Sequence, residues 1–132
     1  MYLLDTNICI YIINRRPVHV VEHIKTLEPS MVYLSSVSLA ELEYGVSESS
    51  SREKNRTALL HFASVFQILD FNDLDAENFG ILRAELERKG QIIGPYDMQI
   101  AAQALTRNLV LVTNNTGEFE RIPGLRLENW IQ

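Results

Sequence analysis

Four carboxylic acids are placed where chemistry is possible: Asp5, Glu41, Asp97 and Glu118. Each has an ordinary local explanation. Asp5, like Thr6 or Asn7 beside it, can cap a helix. Ser38-Leu39-Ala40-Glu41 spells a capping box, in which Glu41 bonds back to the backbone of Ser38. Asp97, after Gly94-Pro95-Tyr96, suits a first turn facing the helix dipole. Glu118 stands in a polar turn before a short helix. The chemistry changes if the fold gathers all four. Clustered carboxylates repel and raise one another's pKa unless a cation lies between them. Ligands that are all oxygen suit Mg2+ or Mn2+ rather than zinc. A hard cation held there polarises a phosphodiester and turns bound water into a nucleophile. Asn7, Thr113 and Asn115 are the expected supporting residues, orienting ligands or waters.

The elements that must position these acids alternate. Short apolar, β-rich runs at 2–4, 31–34, 66–69 and 109–112, with a weaker one at 125–127, read as buried parallel strands. Helical patterns lie between them. The first carries Ile8, Ile12 and Ile13, and the second carries Val21, Ile24 and Leu27, opened by Pro17. Others cover 37–46, 53–65, 73–89 and 97–107, the long one ending in Arg88-Lys89-Gly90. This order predicts an α/β sandwich around a mostly parallel sheet, with residues 1–132 as one domain. Ligands of such sheets bind beyond the carboxyl ends of the strands. All four acids fall at that edge: Asp5 after the first strand, Glu41 early in the third helix, Asp97 at the start of the sixth, Glu118 after the fourth strand.

The composition is that of a globular protein, with 46% hydrophobic residues. Cys9 is the single cysteine, so a disulfide framework is excluded; its apolar neighbours Ile8 and Ile10 place it in the core. There is no signal-like leader and no apolar run approaching roughly 18 residues, so a cytoplasmic protein with no membrane association is expected. The net charge of −5 argues against a nucleic-acid partner only on average, because a metal-dependent nuclease needs a concentrated acidic patch.

Leu4-Asp5-Thr6-Asn7, Ser38-Leu39-Ala40-Glu41-Leu42-Glu43-Tyr44-Gly45, Ile93-Gly94-Pro95-Tyr96-Asp97 and Thr113-Asn114-Asn115-Thr116-Gly117-Glu118-Phe119-Glu120-Arg121 closely resemble the VapC toxins of the PIN-domain superfamily. The resemblance runs from Met1 to Trp130, in order and with matching spacing. It implies an α/β three-layer sandwich with a central, mostly parallel five-stranded sheet, a Mg2+-dependent endoribonuclease with Mn2+ as a substitute, and neutralisation by a VapB-type antitoxin. Carried over by position, Asp5 and Asp97 are the main metal ligands, and Glu41 and Glu118 complete the acidic set. Glu120 is a rival for the fourth place. The motifs look most like the enterobacterial-type branch, whose likeness implies a tRNA substrate, initiator tRNA cut in the anticodon loop. Self-association as a homodimer is also implied. The expected reaction is hydrolysis with in-line attack of water, leaving a 5′-phosphate and a 3′-hydroxyl. Apolar residues beyond core needs, among them Ile8, Ile12, Tyr44, Leu59 and Leu60, suggest a groove for an amphipathic antitoxin helix.

Competing signals are weaker. His19-Val20-Val21-Glu22-His23 spells the H-x-x-E-H of some zinc proteases, but a solvated helix face explains it better. Asp5-Thr6-Asn7 resembles aspartyl-phosphate phosphatases, yet those need a second Asp where Asn7 stands. A non-catalytic interaction module of the same fold would account for the charge, but not for four acids at one edge. Basic residues are scattered and mostly solvated, Arg107 among them; Arg15, Arg16 and Arg121 lie near the carboxyl edge, within reach of phosphate.

Overall fold

The computed structural model describes residues 1–131, so Gln132, the last residue of the expected domain, lies outside the described residues. Five strands, β1 (Tyr2–Leu4), β2 (Val32–Ser35), β3 (Gln67–Leu69), β4 (Val110–Val112) and β5 (Leu127–Glu128), form one sheet in the order β3-β2-β1-β4-β5. Every pairing is parallel. Seven helices connect them: α1 (Thr6–Ile13), α2 (Val18–Lys25), α3 (Ser36–Glu48), α4 (Arg52–Ala63), α5 (Asp73–Arg88), α6 (Pro95–Arg107) and α7 (Thr116–Phe119). The expected architecture is present, and the sheet is wholly parallel.

Period-two alternation sorts the strands into two cores. Leu3 and Leu4 are neighbours in β1 and both fully buried, so they must serve opposite faces. Leu4, Val32, Leu34 and Val112 pack with residues of α1 to α4, among them Ile8, Val20, Leu42 and Phe62. Leu3 and Leu111 pack on the other face with Leu82, Leu86, Met98 and Ala101 of α5 and α6. The sheet grows one way through β1, β2 and β3 and then reverses to β4. Right-handed crossovers therefore put α1–α4 on one face and α5–α6 on the other. The reversal leaves a switch point between β1 and β4, where such sheets hold ligands.

Local chemistry sets the element ends, with several shifts from expectation. The second strand starts at Val32, because Pro29–Met31 forms a 3-10 turn. Pro17 is the N-cap of α2 rather than its first residue, and Leu27 lies past the helix end. Helix α5 has a capping box, Asn72 with Asp75, and leaves through Gly90 at φ +66°, a conformation glycine adopts freely. Helix α6 starts at Pro95 and ends on Asn108 in the left-handed region.

Arg107 is not a solvated surface group. It pairs with the fully buried Asp75, and Asn78 Nδ2 donates to Thr106 Oγ1 at 2.7 Å beside it. These contacts lock the C-terminal end of α6 to the start of α5. One turn before Arg107 in α6, the buried Gln103 hydrogen-bonds Ser35 Oγ and donates to the Leu69 carbonyl at 3.0 Å. The helix that carries Asp97 is thus tied to β2 and β3 as well.

Candidate active site

Asp5 ends β1 and caps α1 at once. Its Oδ1 accepts the Ile8 N–H at 2.9 Å, and its Oδ2 accepts the Thr113 hydroxyl at 2.5 Å. The cap explanation is therefore correct, but it uses one oxygen only. Thr113 is fully buried; having given its proton to Asp5, it accepts the Asn115 N–H at 2.9 Å. β1 and β4 are joined through side chains at the switch point. Asp5 is 4% exposed, and burial raises its pKa, opposed by the bonds from Thr113 and Ile8 and reinforced by the charge of Glu41.

Glu41 is not in a capping box. Helix α3 begins one turn earlier: Ser35 is its N-cap and accepts the Val37 N–H, so Ser38 is already inside the helix. Freed from that duty, the Glu41 carboxylate accepts the Thr6 hydroxyl at 2.6 Å. A hydroxyl has one proton and a carboxylate only accepts, so Thr6 donates to Glu41, and the 3.0 Å contact with Ser38 Oγ is a bond Thr6 receives. Thr6 and Ser38 were not singled out as positioning residues from the sequence. The signal available was a hydroxyl next to each acid-bearing motif, visible only once α1 and α3 are side by side.

Asp97 lies in the first turn of α6, where Gly94 is the N-cap and no side chain caps the helix. Its pKa is pushed up to about 6, by burial first and then by the charges of Asp5, Glu41 and Glu118. The four predicted acids therefore share one electrostatic environment. Glu118, in α7, accepts from Asn115 Nδ2 at 2.8 Å. Glu120, the rival, is the exposed C-cap of α7 and is not among the charges acting on Asp97. Asn7 is exposed on the rim, and its backbone N–H lowers the Asp5 pKa.

Among the described residues, no ion pair reaches any of the four acids; the four salt bridges lie elsewhere. Nor do three acidic, histidine or cysteine side chains converge tightly enough to enclose an ion unaided. Mg2+ does not need such a cage, since it keeps several waters and takes one or two carboxylates plus a phosphate. Asp5 and Asp97 suit that role, because each Asp5 oxygen, with one hydrogen bond received, still has accepting capacity.

Asp5, Glu41 and Asp97 help to line a cavity of about 520 Å³, with Ile10, Ile13, Leu42 and Leu59 among its apolar walls. This alters the expected groove: Ile8 is fully buried and Leu59 nearly so, and both belong to the core. A second apolar cavity, of about 300 Å³, opens between α1, α2 and α4 around Ile12, Val21, Ile24 and Phe62. The H-x-x-E-H residues are not simply solvated: His23 stacks on Trp130, with ring centroids 4.3 Å apart, and His19 meets the Ile131 carbonyl. Arg121 donates to the Ile92 carbonyl at 3.1 Å. Cys9 is buried, as expected, and its thiol pKa is driven far up by burial.

The PIN domain family model matches residues 2–125. This chain belongs to the PIN-domain family. Within it, the chain is a member of the VapC ribonucleases. It is 47% identical over 131 residues to ribonuclease VapC2 of Rickettsia felis, covering 98% of both chains. It is 46% identical to the tRNA(fMet)-specific endonuclease VapC of Salmonella typhimurium, over 98% of this chain and 97% of the relative. Solved structures agree. The VapBC2 complex of Rickettsia felis bound to a promoter DNA fragment superposes with a TM-score of 0.92 at 47% identity, covering 98% of both chains. The DNA-bound VapBC complex of Salmonella typhimurium gives 0.93 at 45% identity, covering 98% of this chain and 97% of that one.

Proposed function

We propose that this chain is the toxin of a type II toxin–antitoxin pair, a Mg2+-dependent endoribonuclease whose cation is held by Asp5 and Asp97. The observation that carries the reading is Asp97, whose pKa is raised toward neutrality by burial beside three other carboxylates with no basic partner. Structural acids are ordinarily paired with a cation or solvated; a cluster of buried and half-buried acids without a basic partner is kept where ionisation is put to use. When bound, the cation supplies Lewis-acid stabilisation of a phosphodiester and a water acidic enough to attack it.

The chain's own residues do the positioning. Thr113 and the Ile8 N–H hold the Asp5 carboxylate in one orientation at the switch point. Thr6 and Ser38 keep Glu41 facing the same cavity, and Asn115 holds Glu118. Four anionic groups repel a bare phosphate, so a bound cation would strengthen the hold on substrate. A VapB-type antitoxin inhibits by laying an apolar helix face along the groove beside α1, while an arginine or lysine reaches the carboxylates in place of the cation. The names of the Rickettsia and Salmonella relatives support RNA as substrate and VapB as partner. The Salmonella name favours initiator tRNA as the substrate. A homodimer in the cytoplasm completes the reading; no helix among the described residues is long and apolar enough to cross a membrane.

The test is to incubate the purified chain with total RNA in Mg2+ and in EDTA and to map the ends. Cleavage in Mg2+ alone, leaving 5′-phosphates and 3′-hydroxyls, is expected. Undiminished cleavage in EDTA by protein free of contaminating nuclease would overturn the mechanism.

A further inference from the structure

Two tyrosines stand in solvent beside the carboxylates, Tyr44 at 67% and Tyr96 at 57% exposure. They come from different elements: Tyr44 follows Glu41 on α3, one turn on, and Tyr96 immediately precedes Asp97 in the first turn of α6. Together with Ala40 and Glu41 they line a cavity of about 440 Å³. Glu41 also lines the main acidic cavity, so the two hollows share a wall. We propose that Tyr44 and Tyr96 form a stacking cleft for an unpaired nucleobase adjoining the phosphate to be cut, a positioning and specificity element that rests on the ribonuclease reading.

Four features of the cleft favour a base over other occupants. Its lining holds no lysine or arginine, and its one charged member, Glu41, is an anion, so it does not suit a phosphate. Two aromatic rings and an alanine methyl offer a surface for a flat, uncharged, polarisable group. Unpaired bases are held this way by proteins that act on single-stranded RNA, because every base has a face to stack. The Tyr44 ring is also pinned: its hydroxyl donates to Glu48 Oε2 at 2.6 Å, one helical turn further on. An exposed ring would otherwise lose rotamer freedom on binding; this one is oriented beforehand. The size lies within the ~300–1,000 Å³ usual for small-ligand sites.

The arrangement places the base grip and the acids on the same two helices. A base seated in the cleft has its sugar and phosphate led past Glu41 toward Asp97, since each tyrosine is a near neighbour in sequence of one of these acids. Stacking tolerates any base, so the cleft selects for an unpaired and splayed nucleotide rather than for a particular letter. This would restrict cutting to loops, where bases can leave the stack.

The experiment uses the RNA that the total-RNA digestion shows to be cut. Steady-state cleavage is compared for wild type, Tyr44→Ala, Tyr96→Ala and the corresponding phenylalanine variants. In parallel, a copy of that RNA carrying 2-aminopurine beside the cut site is bound in EDTA, where stacking quenches its fluorescence. Each alanine variant should raise KM about tenfold with a much smaller change in kcat, and should lose quenching. The phenylalanine variants, which keep the ring, should stay within a fewfold of wild type. Asp97→Asn should retain quenching while cutting nothing. Unchanged KM and quenching in both alanine variants would overturn the stacking cleft while leaving the ribonuclease reading intact. Absence of any cleavage by wild type in Mg2+ would overturn both. Light scattering of every variant supplies the remaining control: a change in mass on tyrosine removal would assign these rings to a contact between copies and overturn the proposal.

Discussion

Replacing Asp97 with asparagine separates a functional acid from a structural one, because the two make opposite predictions for the metal-free protein. The folded-state pKa of about 6 lies above the ordinary 3.8. For a carboxyl raised on folding, the unfolded chain releases its proton first as pH climbs. Stability is therefore full below about pH 4, falls through the window between the two values, and reaches its lower plateau above about pH 6. A difference of roughly 2 units corresponds to about 3 kcal/mol at 1.36 kcal/mol per unit. Asp97 is only half-buried, and solvent screening reduces this to ~1 kcal/mol. Asparagine is nearly isosteric and carries no charge. In EDTA, the Asp97→Asn protein should match wild type at pH 4 and exceed it by ~1 kcal/mol at pH 7.5, a few degrees in Tm for a chain of this length. Urea titrations of both proteins at the two pH values measure this directly. An acid serving only the helix dipole would instead lose about 0.3–1 kcal/mol on neutralisation. A less stable mutant at pH 7.5, with wild-type stability flat between pH 4 and 7, would refute the reasoning.

Other outcomes follow from the same geometry. Excess Mg2+ should raise the wild-type Tm at pH 7.5 well above the shift seen with Asp97→Asn, and equal shifts would remove Asp97 from the ion's ligands. Thr113→Val takes a hydroxyl from the buried Asp5 carboxylate, so unfolding should cost about 1–3 kcal/mol less and the acidic limb of the pH–rate profile should move to higher pH. Thr6→Val should lower kcat through a mobile Glu41 while shifting the urea midpoint little, since Thr6 is only half-buried. Arg107→Ala leaves Asp75 buried without its cation and should cost about 3 kcal/mol by urea unfolding, with no change in kcat for the protein that remains folded.

Much of this molecule was written locally. Short β-rich runs between longer helical patterns can bury their apolar faces only as a sandwich, so four strands, a weaker fifth, six of the seven helices and a mostly parallel sheet could be read from the pattern. Gly90 marked the end of α5 through a backbone constraint that needs no partner, whereas α6 starts at Pro95, two residues before the expected Asp97. Asp5 and Asp97 were legible as edge residues because they adjoin elements whose direction the topology dictates. The local grammar failed where a side chain had two possible bonds. Ser38 and Glu41 have the spacing of a capping box, but β2 ends at Ser35 and hands that residue the cap; Glu41 then turns to Thr6, from a different helix. Glu118 and Glu120 are two residues apart and equally acidic, yet about 200° of helical rotation separates them, and only one is felt by Asp97. Arg107 looked like surface until α5 brought Asp75 beneath it, and His19 and His23 had the spacing of metal ligands until Trp130 stacked on one of them. Spacing along the chain determines which elements form and roughly where their ends lie, because those energies come from neighbouring residues. Which bond a polar side chain makes depends on what is placed against it from a distant segment, and that is decided only when the layers pack.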